Sequence, residues 1–254
     1  HCEDVKLDFI ASPFSCKAVD LLESIGNNNY KIGSGEVNNK LMIEKIAKLN
    51  SKIILSSGLS SIDELKRTVN WIQSAGNNNI SILQCTTSYP TKPENWGLNV
   101  IPELKKEFKD IPIGFSDHSG SIYSGISAYV VGAEILEFHV TFDKRMFGPD
   151  STSSLTIDEV KELSYAVNLI SKSINSPLDK NFINDNDANK KRFGKSLSVN
   201  MDLDEGHIIK IEDLETKKPF GKGLSPLNYD EIIGKKINKK LNKNSFLTKN
   251  DIIW

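Results

Sequence analysis

The sequence predicts an α/β fold, a parallel sheet covered by helices, followed by a small β-rich segment. Short β-prone runs alternate with helical patterns, small and polar residues gather where those runs end, and an internal repeat closes the chain. Alternating strands and helices are typical of a parallel sheet with right-handed crossovers.

The number of βα units limits the choice between an open doubly wound sheet and a closed barrel. Six β-prone runs are present, at 7–11, 30–32, 52–55, 80–85, 111–115 and 135–140. An open doubly wound sheet would fit six units, but no Gly-rich dinucleotide fingerprint follows the first run. A closed barrel needs eight. For a barrel, the two further units are expected upstream of His1.

Helical patterns lie between these runs and after the last one. Ser61 and Glu64 form a capping box, and so do Thr156 and Glu159, each followed by apolar residues at helical spacing. Shorter helical patterns cover 17–25, 41–49 and 124–131.

The C-terminal part changes character. Asn, Asp and Lys dominate residues 176–195, which we predict to be a linker between a barrel domain at 1–175 and a small domain at 196–254. Residues 203–214 align without gaps on residues 241–252, which predicts a pseudo-symmetric β-rich module.

Composition excludes several classes of protein. Among 254 residues, 32 Lys and Arg balance 33 Asp and Glu, so neither a dedicated nucleic-acid surface nor a membrane surface is indicated. No apolar run approaches the roughly 18 residues of a membrane span. Three cysteines without metal or redox spacing exclude a disulfide framework and favour a reducing compartment, so we expect a cytoplasmic protein.

Two histidines are the strongest candidates for chemistry. His118 and His139 follow consecutive predicted strands. Neighbouring parallel strands lie about 4.8 Å apart, so both imidazoles can converge on one ion. Two His ligands leave positions open for water and substrate, as in catalytic metal sites. The alternative is two core or capping histidines.

The run from Lys31 to Glu36 is the second candidate. A Lys inside a strand is unusual without an anionic partner. Ser34 offers a hydroxyl between two glycines, which fits phosphate or carboxylate binding. A solvated Lys before a Gly turn is the alternative. Further hydroxyls at strand ends come from Ser12, Ser56 and Ser116.

Other residues leave alternatives open. Asp150 binds sugar hydroxyls or caps the next helix, and Tyr89 is a core ring or a wall of the site. We interpret Cys85 as buried strand core and the Lys-rich stretches near Lys190 and Lys235 as solvated surface.

Taken together, the motifs resemble those of the sialic acid synthase family, which includes N-acetylneuraminate, legionaminic acid and pseudaminic acid synthases. The resemblance rests on KIGSGEVNN at 31–39, QCTTSYP at 84–90, IGFSDH at 113–118 and EFHVT at 137–141, with SPF at 12–14 and FGPD at 147–150. It implies a (β/α)8 TIM-type barrel, here without its first two βα units, followed by a small antifreeze-like (SAF) domain.

The resemblance also implies an activity. Members of the family condense phosphoenolpyruvate with an N-acyl-mannosamine-type sugar, giving a nine-carbon 2-keto acid and phosphate. The implied metal is Mn²⁺ or Mg²⁺, held by His118 and His139, which also stand among the catalytic residues with Glu36. Positions around phosphoenolpyruvate match Lys31, Ser34, Ser12, Ser56 and Ser116. Positions near the sugar or the reacting centre match Glu36, Tyr89 and Asp150.

Three departures from the family pattern bear on function. The two opening strands of the family barrel, with a catalytic Glu, have no match here. Thr87 stands where sialic acid synthases often carry Asn. Lys218 precedes Pro219 where the family often has Arg, in a loop that reaches the neighbouring subunit's site in a domain-swapped homodimer, and Lys lacks the bidentate fork of Arg.

Two other functions compete with this one. A catalytically incomplete chain that binds metal or sugar is the first. The second is another metal-dependent, phosphoenolpyruvate-using sugar acid synthase, against which the C-terminal repeat argues.

Overall fold

The chain divides into two compact units, His1–Ser176 and Pro177–Trp254. In the computed structural model, the structure describes residues 1–182 and 187–254. The expected linker at 176–195 includes residues 183–186, which lie outside the described residues. The predicted domain boundaries therefore stay predictions.

The first unit is built on a six-stranded sheet whose strands follow chain order and pair in parallel throughout. The strands are β1 (Asn29–Ile32), β2 (Lys52–Ser56), β3 (Ile80–Cys85), β4 (Ile113–Asp117), β5 (Leu136–Thr141) and β6 (Ser154–Thr156). The helices are α1 (Cys16–Ser24), α2 (Lys40–Lys48), α3 (Ile62–Ser74), α4 (Val100–Glu107), α5 (Ile122–Val130) and α6 (Ile157–Ile174).

Both predicted capping boxes are confirmed. Ser61 Oγ accepts from the Glu64 amide at 3.3 Å, and Glu64 Oε2 accepts from the Ser61 amide at 2.8 Å. Thr156 and Glu159 make the same reciprocal pair at the start of α6. Such pairs satisfy amide groups that have no partner in the first turn of a helix.

Three sequence-based assignments of secondary structure differ from the structure. The run at 7–11 forms no strand, only an isolated bridge between Ala11 and Tyr30, because residues 7–10 are exposed and make no ladder. Helix α4 was not predicted, and neither was β6. A strand of three residues with two hydroxyl side chains carries almost no alternation signal.

The hydrophobic core of this unit lies between the sheet and its helices. Ile32, Ile53 and Ile82 from the strands are fully buried against Ile43 and Ile72 from the helices. This core occupies one face of the strands, and the residues between these apolar positions project to the other face.

The second unit contains two small antiparallel sheets. Strand β7 (Ser196–Val199) pairs with β8 (Leu214–Lys217), and β9 (Lys236–Ile237) pairs with β10 (Ile252–Ile253). The described residues of this unit also form two short α-helices, α7 (Ala188–Phe193) and α8 (Tyr229–Ile232), and several 3₁₀ turns. A separate hydrophobic cluster, which includes Leu197 and Leu247, forms its core.

The internal repeat predicted from the sequence appears as pseudo-two-fold symmetry. Leu203 and Leu241 exchange two backbone hydrogen bonds of 2.8 Å. Asp213 and Asp251 occupy equivalent positions, and each caps a short 3₁₀ turn.

Among the described residues, no helix combines the length and the apolar character that a membrane crossing requires.

Candidate active site

Strand alternation brings the polar residues of the first unit to one side of the sheet. Ser116 pairs in register with Cys85 on one side and with Glu137 on the other. His118 lies two residues after Ser116, and His139 lies two residues after Glu137. Residues two apart on a strand point to the same face, so all of these side chains face one space.

That space is a cavity of about 370 Å³. Its lining residues come from β1 to β5, from the segments that follow these strands and from the segment just before α1: Ser12, Phe14, Lys31, Ser34, Ser56, Cys85, Tyr89, Ser116, His118, Glu137 and His139. Eight of the predicted site residues are therefore brought together. Cavities of this size are typical of small-molecule sites.

An ion pair crosses the cavity. Lys31 Nζ donates to Glu137 Oε1 at 2.7 Å, and Ser116 Oγ donates to the same oxygen at 2.7 Å. The Lys31 side chain is 13% exposed. A nearly buried ammonium needs an anionic partner, and Glu137 supplies it within the protein itself.

Hydroxyl groups form a second part of the wall. Ser34 Oγ donates to Ser56 Oγ at 3.2 Å, and its oxygen lies 3.7 Å from Cys85 Sγ. Gly58 makes this convergence possible. A Cβ at Gly58 would lie 2.5 Å from Thr87 Oγ1, 2.7 Å from Ser34 Oγ and 2.9 Å from Cys85 Sγ.

Cys85 is buried, as predicted, but it also lines the cavity. Burial alone would raise the pKa of its thiol. Hydrogen bonds with His118 and Ser56 outweigh burial and lower that pKa below its usual value. The sulfur lies 3.9 Å from His118 Nδ1.

One ring nitrogen of His118 contacts a backbone carbonyl, and the other faces the cavity. Nδ1 lies 3.0 Å from the carbonyl oxygen of Thr86, and a carbonyl only accepts, so Nδ1 carries the proton. Nε2 lies 3.1 Å from the hydroxyl of Tyr89. Burial lowers the pKa of His118, but its hydrogen bonds with Cys85 and Thr86 raise it above its usual value.

His139 is oriented in a similar way. Its Nδ1 lies 3.5 Å from Asp150 Oδ2, and its ring centroid lies 5.3 Å from that of His118. Both imidazoles thus have an oxygen beside Nδ1, which leaves Nε2 as the nitrogen for a ligand. Metal-bound His side chains almost always place a carboxylate or a backbone carbonyl at the other ring nitrogen.

The chemistry of this donor pair therefore fits a divalent cation. No group of three or more His, Cys, Asp or Glu side chains within residues 1–182 and 187–254 is placed to hold a metal. Two imidazoles alone leave most coordination positions for water or substrate oxygens.

Tyr89 packs against both histidines. Its ring centroid lies 4.1 Å from that of His118 and 5.9 Å from that of His139. Burial, together with the nearby Cys85, Asp150 and Glu137, raises the pKa of its hydroxyl. Tyr89 is thus a wall of the site rather than a core ring.

Four predicted residues do not line this cavity. Glu36 accepts a hydrogen bond of 2.7 Å from Asn39, the residue that caps α2. Thr87 is exposed at the rim. Asp150 lines an adjoining cavity of about 330 Å³ that shares His139. Lys218 belongs to the second unit, where its Nζ lies 5.3 Å from the Phe193 ring centroid.

Sequence reasoning missed Glu137 as a site residue. The signal was present, because Glu137 alternates with His139 as Ser116 alternates with His118. A carboxylate on the cavity side of a strand, opposite a Lys from another strand, predicts an ion pair.

Two sequence families match this chain. Residues 1–178 match the sequence model of the NeuB family, and residues 195–253 match that of the SAF domain. The chain is 36% identical over 237 residues to the N,N'-diacetyllegionaminic acid synthase of Campylobacter jejuni, covering 92% of this chain and 70% of the relative. It is 35% identical to the N-acetylneuraminate-9-phosphate synthase of Homo sapiens, covering 93% and 66%.

A solved structure is similar as well. The N-acetylneuraminic acid synthetase of Leptospira borgpetersenii, crystallised with citrate, superposes with a TM-score of 0.66 at 30% identity. That superposition covers 69% of this chain and 61% of the other. The chain thus spans about two thirds of the length of these proteins.

Proposed function

The chain belongs to the NeuB family, and from that premise we propose that it condenses phosphoenolpyruvate with an N-acyl-mannosamine-type sugar. The product is a nine-carbon 2-keto sugar acid of sialic or legionaminic type, released with phosphate. The cavity that combines Lys31, a group of serine hydroxyls and two facing imidazoles carries this proposal. The similar synthases named above support the choice of substrates.

One part of the cavity carries the groups that an anionic substrate such as phosphoenolpyruvate requires. Phosphoenolpyruvate presents a phosphate and a carboxylate, and Lys31 supplies the ammonium for one of them. Ser34, Ser56 and Ser116 supply hydroxyl donors, and charge-assisted hydrogen bonds of this kind are the strong ones. Glu137 already holds Lys31 at 2.7 Å, which fixes the direction of the ammonium before substrate arrives.

His118 and His139 would hold the divalent cation, Mn²⁺ or Mg²⁺. When bound there, such an ion supplies Lewis acidity toward a carbonyl oxygen of the sugar. Thr86 and Asp150 keep the two rings oriented through Nδ1. Tyr89 covers both rings and limits the access of water to them.

The overall reaction balances without another reagent. C3 of phosphoenolpyruvate forms a bond to the aldehyde carbon of the sugar, and water adds at C2. The C2–O bond to phosphate then breaks, so inorganic phosphate leaves and the 2-keto group forms. Glu36 stays a predicted catalytic residue, and its carboxylate is positioned by Asn39.

The second unit is proposed to contribute in a homodimer. By resemblance, Lys218 reaches the sugar in the site of a neighbouring subunit, with one point charge in place of an Arg fork. A cytoplasmic location is proposed on the same resemblance. The three described cysteines are all free thiols, which supports a reducing compartment.

A phosphate-release assay tests the activity. Phosphoenolpyruvate, Mn²⁺ and a panel of N-acyl-mannosamine, diacetylated and altrose-type sugars are given to the 254-residue chain and to the product of its gene read from the first Met codon. We expect phosphate release only when a sugar of this class is present, and only before chelation of the metal. A folded, metal-loaded protein that releases no phosphate with any sugar contradicts the proposal and favours a catalytically incomplete protein.

The variant His118→Ala tests the metal assignment within the same assay. Loss of an outer partner of a metal ligand costs about 10–100-fold in metal affinity or activity, so loss of a ligand is expected to cost at least about 100-fold. His207→Gln, a substitution in the second unit, is the matched control and retains turnover. Equal turnover in His118→Ala and the wild type would refute the metal role of His118.

A further inference from the structure

Lys144 connects three segments around the proposed metal site. It lies in the loop that runs from β5 to β6, between His139 and Asp150. Its Nζ donates to the carbonyl oxygen of Gly120 at 2.7 Å and to Glu159 Oε1 at 2.6 Å. The side chains of Lys144 and Glu159 are 32% and 33% exposed. This pair is therefore only partly screened by solvent.

The carboxylate of Glu159, which accepts from this ammonium, is itself held in place by another hydrogen bond. Its other oxygen, Oε2, accepts from the Thr156 amide at 2.7 Å and so caps α6. Burial would raise the pKa of Glu159, but the hydrogen bonds from Lys144 and Thr156 lower it below its usual value. The carboxylate is thus held charged in a fixed place at the start of a long helix.

Gly120 belongs to the turn that follows His118. It has a φ of +65°, and a Cβ there would lie 2.5 Å from the carbonyl oxygen of Thr152. The turn therefore packs directly on the chain just before β6. On its other side, Ser119 Oγ donates to Asp117 Oδ2 at 3.0 Å. The position of the turn after His118 thus depends on the Lys144 loop.

We propose that Lys144 is a positioning residue that fixes the turn after His118 against the loop carrying Asp150, so that both imidazoles present Nε2 to the same cation. This inference rests on the proposed metal site. Without the ammonium, the Gly120 carbonyl and one oxygen of Glu159 lose their hydrogen bonds, and a polar group left unsatisfied carries a desolvation penalty. The two loops then relax apart, and the second imidazole no longer meets the ion bound by the first.

The test measures Mn²⁺ affinity by electron paramagnetic resonance of the free ion, without substrates. Lys144→Met is compared with Lys144→Arg, which keeps the charge. Lys161→Met is the matched control, because Lys161 also pairs with a carboxylate on α6, at 2.9 Å from Asp158, but at an exposed position. Groups that hydrogen-bond a metal ligand directly are worth about 10–100-fold in metal affinity. Lys144 bonds Gly120 and Glu159 rather than a histidine, so we expect the dissociation constant to rise about 10-fold in Lys144→Met, the lower end of that range. The control should be unchanged, and Lys144→Arg should stay closer to the wild type.

A second variant guards against misfolding. Glu159→Gln keeps an amide oxygen for the capping box but removes the charge that faces Lys144. It is expected to weaken Mn²⁺ binding less than Lys144→Met does. Hydrogen exchange of residues 118–121 and 142–150 should become faster in both variants and stay unchanged in Lys161→Met.

The outcomes separate the two proposals. If the wild type binds no Mn²⁺, the metal assignment is wrong and the role of Lys144 falls with it. If the wild type binds Mn²⁺ and Lys144→Met binds it equally well, the positioning role alone is overturned. Equal losses in Lys144→Met and Lys144→Arg would also overturn it, because Arg keeps the positive charge that is proposed to hold Gly120 and Glu159.

Discussion

Lys31 and Glu137 are 106 residues apart in the sequence and form an ion pair of 2.7 Å. Lys31 lies on β1 and Glu137 on β5, with three strands between them in the sheet. Adjacent strands are about 4.8 Å apart, so a flat sheet would separate these side chains by roughly 19 Å. The contact therefore shows that the sheet curls around the cavity as a barrel wall does.

Replacing Lys31 is predicted to weaken the binding of phosphoenolpyruvate. Lys31→Met keeps the length of the side chain but removes the ammonium. A hydrogen bond to a charged group contributes about 1.5–3 kcal/mol, so KM for phosphoenolpyruvate is expected to rise about 10–150-fold. Steady-state kinetics with varied phosphoenolpyruvate measures this change. Lys161→Met should leave KM as it is, and an unchanged KM in Lys31→Met would exclude the anion-binding role.

Adding a methyl group at Gly58 is predicted to disturb the site. In Gly58→Ala, the new Cβ falls within 3.0 Å of Thr87 Oγ1, Ser34 Oγ and Cys85 Sγ. Overpacking of this kind costs about 1–3 kcal/mol of stability unless the crowded side chains move away. A displaced Ser34 hydroxyl loses a hydrogen bond to the substrate worth about 1 kcal/mol, so kcat/KM should fall about 5-fold. Two of the three crowded side chains, Ser34 and Cys85, line the cavity, so turnover should suffer more than the melting temperature.

Gly35→Ala is the matched control for that change. Gly35 lies next to Ser34, but a Cβ there would have no atom within 4 Å, and its φ is not in the left-handed region. We expect nearly normal turnover in this variant. Equal losses at both positions would show that backbone freedom, rather than space beside Ser34 and Thr87, is what matters at Gly58.

Stability of the second unit is predicted to fall in acid because of Asp213. Burial would raise the pKa of this carboxyl, but hydrogen bonds from His207 and the Lys210 amide lower it below its usual value. A carboxyl with a lowered folded pKa stabilises the fold above its unfolded pKa of about 3.9, and this contribution is lost as the pH falls through the folded pKa.

Asp213→Asn tests this dependence with almost no change in shape. At pH 7 the variant should be less stable by about 1–3 kcal/mol, because a charged acceptor is lost at a buried position. Below about pH 4 the difference from the wild type should shrink. Urea unfolding followed by circular dichroism, from pH 7 to pH 2, measures both. Asp204→Asn, at an exposed site, should have the same stability as the wild type at each pH. A difference in stability between Asp213→Asn and the wild type that stays constant across pH would contradict the role of the charged Asp213 carboxylate.

The internal symmetry predicts an unequal response at Asn244. Asn244 has a φ of +73°, and Gly206 occupies the equivalent place in the other repeat with a φ of +82°. A side chain with Cβ costs about 1–2 kcal/mol in the left-handed region, and Asn tolerates it better than most residues. Asn244→Val should therefore lower the free energy of unfolding by at least about 1 kcal/mol, whereas Asn244→Gly should not. Urea unfolding at pH 7 measures the free energy of unfolding of both variants. Equal losses in Asn244→Val and Asn244→Gly would refute the explanation by the positive φ.

Much of the fold could be predicted from local patterns. The five strands β1 to β5, both capping boxes and the C-terminal repeat follow from alternation, spacing and self-similarity. The matches to the NeuB family and the SAF domain confirm the family resemblance and a TIM-type barrel fold followed by a SAF domain. His118 and His139 could be paired because parallel strands place their ends at one edge.

Other features depend on tertiary contacts that no local pattern records. The Lys31–Glu137 pair requires the curl of the sheet, which a linear pattern does not contain. Cys85 is both buried and part of the cavity wall. The apolar residues Ile82 and Leu83 earlier in β3 indicate burial, but nothing in the local sequence indicates the cavity. The convergence on Gly58 brings together the end of β3, the segment that follows it and the segment that follows β1, and it depends on the absence of a side chain at Gly58.

The alternation of side chains on β5 also determines where evolution tolerates insertions and deletions. Glu137 and His139 face the cavity, while Leu136 and Phe138 pack beside helices α5 and α6. One inserted or deleted residue within this strand would exchange the two sets, placing a carboxylate and an imidazole in hydrocarbon and two apolar side chains at the reaction centre. Functional descendants of this sequence should therefore accumulate substitutions within β5. Insertions and deletions should be found only outside this strand.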